Sequence, residues 1–185
     1  SWSPSTTFDA CWTPNPNSGG FRWNVSTGGT GSSGTGPSAA SNGSNYLYLE
    51  TSSGTAGASA TVTGPNMTSG YSSLSISFDY HMYGATMGNL YLESNDGTGW
   101  VTFDSIVGQQ QTSNAAAWLT GSSLLTTPAG VFSIRFRGTR GASYTGDMAI
   151  DNIVIASGAV CPTPNSLTAS NIGMTSFDLA WSSTS

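Results

Sequence analysis

The stretch Ser77-Phe78-Asp79-Tyr80-His81-Met82-Tyr83-Gly84, followed by Gly88-Asn89-Leu90-Tyr91-Leu92, decides the fold class of this chain. Apolar and polar residues alternate over positions 74–78, which is the period-2 pattern of a half-buried strand. The two glycines free the backbone to turn, and the alternation then resumes. The stretch therefore predicts two β-strands joined by a tight connection.

Similar short segments run through most of the chain, each bounded by Gly, Pro, Asn or Ser. Helical periodicity is missing throughout. The motif Asn95-Asp96-Gly97 predicts a hairpin, because Asp-Gly suits a turn that needs positive φ. We therefore predict an all-β, antiparallel sandwich. Its predicted strands are 21–25, 45–51, 58–63, 73–83, 88–94, 101–107, 118–124 (with Trp118 facing inward), 130–137 and 147–155.

Composition restricts the classes of partner. Only 7% of the 185 residues are charged, the net charge is −5, and all four cations are arginine. Nucleic acid and anionic membrane surfaces need clustered cations, so neither is expected. No run approaches the ~20 apolar residues of a membrane span. Many Gly, Ser, Thr and Asn residues with 11% aromatics fit a secreted, extracellular or cell-surface β domain.

Three of the four arginines, Arg135, Arg137 and Arg140, lie close together in sequence. Such a group can meet a sulfate or a carboxylate of a ligand. The alternative, which we favour, is that these arginines pair with nearby acids of the same fold.

Residues 26–44, STGGTGSSGTGPSAASNGS, form a different kind of segment. We expect them to be too rich in Gly and Ser to pack. They predict a long surface loop, or a loop that a metal ion organises.

The opening stretch resembles the signature of MAM domains, extracellular modules named after meprin, a neuropilin-type antigen and a receptor phosphatase. The likeness covers roughly residues 8–156. It rests on ordered motifs that include FRGTRG and GDMAIDNI, at positions 8–9, 11–12, 21–23, 34–38, 46–52, 118, 136–141 and 146–153. The resemblance implies a jelly-roll sandwich that binds and assembles and does not catalyse.

The chain departs from the family pattern at three places. Ala40 stands where the family has an acid, Asn152 replaces the second acid of a pair, and only two cysteines remain. This reduced form looks like a secreted bacterial protein. From Cys161 onward the pattern resembles the start of a fibronectin type III domain, which needs about 100 residues. We therefore expect a flank at 1–7, the MAM-like domain at 8–157, a linker and partial second domain at 158–185, and a multidomain parent.

The resemblance also implies a structural Ca²⁺ or Na⁺ near the first and last strands. A hard cation needs six to eight oxygen ligands. Asp9 and Asp151 sit at the matching ends, Asp147 is a second candidate acid, and the loop beginning at Ser41 offers further oxygens. The alternative is that Asp9 accepts hydrogen bonds from loop amides and Asp151 pairs with Arg140.

The two cysteines, Cys11 and Cys161, lie near opposite ends of the main domain. The first and last strands of a sandwich often lie side by side, so a disulfide is plausible. It would contribute up to ~4–5 kcal/mol in the chain-entropy model. Two unpaired thiols are the alternative, because sequence does not supply Cα spacing.

The sequence gives little support for a catalytic site. The only histidine, His81, lies in the aromatic strand without a cysteine or a nucleophile motif beside it. Asp147 and Asp151 are four residues apart on a predicted strand, hence ~13 Å apart, which is too far for a retaining or inverting carboxylate pair. We expect no catalysis from this segment.

Aromatic residues beside turns are the candidate ligand-binding residues: Trp100, Tyr144 and Tyr71. Rings presented among Asn, Ser and Gln side chains suit stacking on sugars. The sequence therefore leaves two main functions, a MAM-type adhesion or assembly module that binds protein, and a carbohydrate-binding module that targets an attached enzyme to polysaccharide. A structural spacer is the third.

Overall fold

The computed structural model describes residues 11–15, 21–157, 165–170 and 178–182, and side chains within 11–14 and 21–157. This part of the chain contains no helix. Its strands are β1 (Thr13–Asn15), β2 (Trp23–Ser26), β3 (Tyr46–Leu49), β4 (Ser59–Thr63), β5 (Ser73–Met82), β6 (Asn89–Asn95), β7 (Val101–Val107), β8 (Leu119–Thr126), β9 (Ser133–Thr139), β10 (Met148–Ser157), β11 (Asn165–Ser170) and β12 (Asp178–Ser182).

Ten of these strands form two five-stranded antiparallel sheets. The first sheet has the order β1-β4-β9-β6-β7, and the second has the order β2-β3-β10-β5-β8. The two sheets pack face to face as a sandwich, so the predicted all-β jelly-roll class is confirmed. Among the described strands, β11 and β12 pair with each other and with no third strand. Whether they begin a fibronectin type III domain stays a prediction.

The core lies between the sheets and follows the period-2 alternation. Leu74, Ile76 and Phe78 of β5 are buried, and the residues between them are half-buried. Phe78 meets Phe136 of the first sheet edge to face, with ring centroids 5.0 Å apart. Such a pair adds about 0.5–1.5 kcal/mol beyond the area that it buries. The sequence pattern that predicted the strand therefore also selects the residues that join the sheets.

Glycines allow two backbone segments to touch at one end of the sandwich. A Cβ on Gly88 would overlap the carbonyl oxygen of Thr139, and a Cβ on Gly141 would overlap that of Thr86. Both glycines belong to the motifs quoted above. This end of the domain is therefore closed by backbone contact, which no other residue type permits.

The Gly/Ser-rich segment 26–44 packs across the outer face of the second sheet, contrary to the expectation that it would not pack. The Tyr46 hydroxyl donates to the Gly28 carbonyl over 2.7 Å, and Trp118 Nε1 donates to the Ala39 carbonyl over 3.1 Å. The rings of Tyr46 and His81 each lie 5.6 Å from that of Trp118. These three aromatic residues form a second, smaller core outside the sandwich.

The predicted position of Trp118 is thus wrong. It was expected to face inward on a strand. The strand instead starts at Leu119, and Trp118 is half-buried on the outer side of the second sheet, where it packs on Tyr46 and His81. The physical reason is that the loops supply the apolar cover that its indole needs, so it does not have to enter the sandwich.

The predicted disulfide stays a prediction, because Cys161 lies outside the described residues. Cys11 is exposed at the start of β1. The boundary predicted at residue 157 stays a prediction, and β10 is described as far as that residue.

The backbone contact between glycines and carbonyls predicts a large effect of one added methyl group. Gly141→Ala should lower the free energy of unfolding by about 3 kcal/mol, because the backbone of residue 86 must move. Gly31→Ala is the matched control, since no atom lies within 4 Å of its Cβ position, and it should change stability by less than about 0.5 kcal/mol. Denaturant unfolding curves measure both. Equal effects of the two substitutions would contradict this account of the fold.

Candidate functional site

Asp147 is the most deeply enclosed carboxylate at the glycine-closed end. Its Oδ1 accepts hydrogen bonds from the Thr51 amide over 2.9 Å and from the Thr51 hydroxyl over 2.8 Å. Its Oδ2 is buried and makes no hydrogen bond. Burial raises the pKa of this carboxyl, although the contacts with Thr51 and the nearby Thr30 hydroxyl partly offset that rise. One oxygen of Asp147 therefore lacks the partner that a buried carboxylate needs.

Asp151 is also buried, but its carboxylate is satisfied by backbone amides. Oδ2 accepts from the Asn42 amide and Oδ1 from the Asn152 amide, both over 2.8 Å. Asn152 has φ of 49°, at the bulge where β10 shifts register against β5. Burial raises the pKa of Asp151, and these amides oppose the rise. The loop thus offers donors to this acid where the sequence analysis expected carbonyl ligands.

Asp79 lies opposite Asp151 on the adjacent strand. It accepts hydrogen bonds from the Ser41 hydroxyl over 2.7 Å and from the Thr120 hydroxyl over 2.9 Å. The Ser41 hydroxyl therefore bonds to Asp79, and the Ser41 backbone amide is one of the groups that oppose the rise in the Asp151 pKa. Among the described residues, no three His, Cys, Asp or Glu side chains are grouped to hold a metal ion. Asp9 lies outside the described residues.

The suggested pairing of Asp151 with Arg140 is wrong. Arg140 Nε donates to the Thr51 carbonyl over 2.7 Å, and its Nη1 donates to the Gly141 carbonyl over 3.2 Å. These contacts draw the guanidinium to the glycine-closed end, where backbone carbonyls satisfy it. Asp151 meets amides from the loop over the second sheet instead.

His81 is sealed inside the fold. Its ring is fully buried beside Trp118, and neither ring nitrogen makes a well-formed hydrogen bond. Burial lowers its pKa from 6.5 to about 4, although backbone groups of Ala116 and Ser113 partly offset this. The imidazole is thus neutral and enclosed near neutral pH.

The outer face of the first sheet carries a different group of side chains. Tyr91 and Glu93 of β6 stand directly opposite Arg137 and Arg135 of β9. Glu93 accepts from Arg135 Nε over 2.6 Å and from Arg137 Nε over 2.8 Å. Trp100 lies just before β7 and completes the group, which we call the Glu93 cluster: Tyr91, Glu93, Trp100, Arg135 and Arg137.

Each guanidinium of the Glu93 cluster also covers an aromatic ring. Arg135 lies 4.0 Å from the ring centre of Trp100, and Arg137 lies 4.0 Å from that of Tyr91. Burial alone would raise the pKa of Glu93, but hydrogen bonds and charge from the two arginines outweigh burial and lower it. The carboxylate is therefore ionised and holds both arginines in fixed positions. The favoured prediction of structural pairing is confirmed for these two arginines.

The three candidate aromatic residues have separate surroundings. Trp100 belongs to the Glu93 cluster. Tyr71, 59% exposed, lines a cavity of about 280 Å³ beside Leu74 and Ile155. Tyr144 is 49% exposed, and its backbone carbonyl accepts a hydrogen bond from the Thr51 hydroxyl. No contact joins them in the described part of the chain.

Sequence reasoning missed Tyr91 and Glu93 as members of a surface group. The signal was present, because Leu90 and Leu92 are buried and the residues between and after them must face outward. Their partners on β9 depend on register across the sheet, which local sequence does not contain.

The family model described as "MAM domain, meprin/A5/mu" matches residues 6–162. The chain belongs to the MAM family. The MAM domain-containing glycosylphosphatidylinositol anchor protein 1 of Rattus norvegicus is 32% identical over 121 residues, and the Homo sapiens protein is 31% identical. Each match covers 63% of this chain, and the chain spans 12% of the length of these relatives.

Solved structures with the same fold include sugar-binding and adhesin domains. A family 61 carbohydrate-binding module in complex with β-1,4-galactotriose aligns with a TM-score of 0.52 and 14% identity, over 80% of this chain and 90% of that one. The K1 cleaved adhesin domain of Lys-gingipain from Porphyromonas gingivalis aligns with a TM-score of 0.56 and 14% identity, over 82% and 94%. At these identities the likeness shows the fold alone.

MAM domains are non-catalytic recognition modules that occur in extracellular or cell-surface proteins. Within the described ranges, this MAM domain contains no helix that is long and apolar enough to cross a membrane.

The depressed pKa of His81 predicts a loss of stability in acid. The unfolded chain takes up a proton below about pH 6.5 and the folded chain only near pH 4. Protonation of His81 therefore leaves the free energy of unfolding unchanged above pH 6.5 and lowers it by about 3 kcal/mol as the pH drops to 4.

Comparison with His81→Phe isolates this effect. Asp147 and Asp151 have raised pKa values, so they change stability in the opposite direction, but they do so in both proteins and cancel. Denaturant unfolding at pH 7 and pH 4 should show wild type losing about 3 kcal/mol relative to the variant. Parallel pH profiles would contradict the neutral, buried imidazole.

Proposed function

We propose that this MAM domain is a secreted recognition module that binds its ligand on the outer face of the first sheet. The observation that carries the proposal is the Glu93 cluster, in which two rings and two guanidiniums are held on an exposed sheet face. Arg, Tyr and Trp are the residues that dominate binding energy at protein interfaces. The same residues also stack on and hydrogen-bond to sugars.

The second sheet is less suited to bind. The chain's own loops cover the part of its outer face that carries Tyr46, His81 and Trp118. The uncovered part presents small polar residues such as Ser75 and Ser77 beside the exposed aliphatic side chains of Leu124 and Val154. Among the described residues, arginines that pair with a carboxylate and cover an aromatic ring are found on the first sheet alone.

Adhesion through a protein partner, including a second copy of this chain, is the function that the family favours. Binding of a glycan, in a module that brings an attached enzyme to polysaccharide, is the second candidate. Its specific support is the stacked pair of Trp100 and Arg135 beside hydroxyl side chains such as Thr63 and Thr102.

One substitution tests the proposed face against both ligand classes. Binding is measured on a glycan array, and self-association is measured by analytical ultracentrifugation. Trp100→Ala should weaken whichever interaction wild type shows by at least about tenfold, as removal of a central aromatic anchor does. Tyr71→Ala and Tyr144→Ala remove rings that are more exposed than the half-buried ring of Trp100, and they should change it less than about twofold. A stronger effect of either control, with the melting temperature unchanged, would place the ligand elsewhere.

We also propose that Asp147 is the acid that contacts the structural cation implied by the family resemblance. Its buried Oδ2 has no partner, and the nearby Thr30 hydroxyl is a second oxygen. A Ca²⁺ or Na⁺ there would neutralise the charge, and it would serve structure only. Asp151 supports this role less well, because amides already engage both of its oxygens.

Chelation tests the cation in the intact chain. In metal-stripped protein, Ca²⁺ at a hundredfold excess over Kd should stabilise the fold by ~2.7 kcal/mol, seen as a higher melting temperature. Asp147→Asn should abolish the gain, and Asp151→Asn should retain it. Loss of the gain in Asp151→Asn alone would assign the cation to the Asp9 and Asp151 site instead, and no gain in wild type would refute both.

A further inference from the structure

We propose that the Glu93 cluster recognises the carboxylates of an acidic polysaccharide, with Arg135 and Arg137 as the contacting residues. The inference rests on the proposed function and names the ligand class of that face. It starts from the donors that the two arginines have not used. Each guanidinium gives its Nε–H to Glu93, and its Nη groups make no hydrogen bond within the described residues.

The unused Nη groups reach solvent. Of the Arg135 and Arg137 side chains, 18% and 24% remain accessible, and no Nη atom is among the buried polar atoms that lack partners. The pair Nη1–H and Nη2–H of one guanidinium forms a planar fork that matches the two oxygens of a carboxylate. Glu93 and the two rings fix both forks before a ligand arrives, which reduces the entropy lost on binding.

Two forks side by side favour a polymer over a single small anion. Arg135 and Arg137 leave one face of β9 about 7 Å apart along the strand, and their Nε–H groups then converge on the two oxygens of Glu93, so the forks are neighbours. A chain of sugars with repeated carboxylates can meet both. The rings of Trp100 and Tyr91 lie beside the forks, and threonine hydroxyls border them.

The charge of the cluster selects the kind of anion. Two arginines and one glutamate leave a net charge of +1, in a chain whose net charge is −5. A sparse positive charge of this size suits singly charged uronate groups along a largely neutral, hydroxyl-rich polymer. A densely charged partner such as nucleic acid would meet repulsion from the rest of the chain.

The experiment is affinity gel electrophoresis of the whole chain in gels that contain polygalacturonate, neutral galactan or dextran sulfate. Polygalacturonate should retard wild type more strongly than galactan, and added salt should weaken the retardation. Arg137→Gln should weaken it by about tenfold. Arg22→Gln is the matched control, because it removes one exposed positive charge elsewhere and should change it less than about twofold.

Arg137→Lys keeps the charge and removes the fork, so it should also lose most of the retardation. Melting temperatures show that each variant is folded, and the lysine variant carries the test if Arg137→Gln is not. No retardation by polygalacturonate, equal retardation by galactan, retention by dextran sulfate alone, or an equal effect of Arg22→Gln would overturn the inference. If Trp100→Ala still weakens binding to a neutral glycan or to a second copy, the proposed function stands without it.

Discussion

Backbone contact without intervening side chains holds one end of this MAM domain together. The connection from β5 to β6 and the segment from β9 to β10 approach so closely that Gly88 and Gly141 have no space for a Cβ. The Thr86 amide donates to the Thr145 carbonyl across the same contact. Because this contact fixes the start of β10, it also fixes Asp147 against Thr51. The family motifs FRGTRG and GDMAIDNI therefore form one side of this junction, and the opening stretch around Gly88 forms the other side.

Local sequence was sufficient for much of the fold. The pattern of short segments predicted nine of the ten sandwich strands and missed only β1, and the Asn95 side chain accepts a hydrogen bond from the Gly97 amide in the predicted hairpin turn. Local sequence was not sufficient to predict which groups the individual side chains contact. Arg140 bonds to carbonyls, and Trp118 packs outside the sandwich, because each outcome depends on segments far away in sequence. The Glu93 cluster was missed for the same reason, since strand register decides which outward residues meet.

The three buried acids show how differently one fold can satisfy a carboxylate. Two guanidiniums surround Glu93 and lower its pKa, whereas Asp151 relies on amide dipoles and Asp147 on the threonines Thr51 and Thr30. Charge partners appear only where the sheet face is open to solvent. At the enclosed positions the chain uses neutral donors, which cost less desolvation than a buried cation from a side chain. The carboxylate that pairs with arginines thus lies on the first sheet, whereas the two carboxylates held by neutral donors lie at β10 of the second sheet.

The loop cover over the second sheet makes its central strands the middle layer of three. Tyr46, Ala149 and His81 face outward from β3, β10 and β5, yet all are fully buried. Their amides are shielded from water on both faces, so hydrogen exchange there should require the covering loops and the sandwich to open together. Opening of a segment made almost entirely of Gly, Ser and Thr would then limit exchange in the central strands beneath it, although its composition alone is that of a flexible linker.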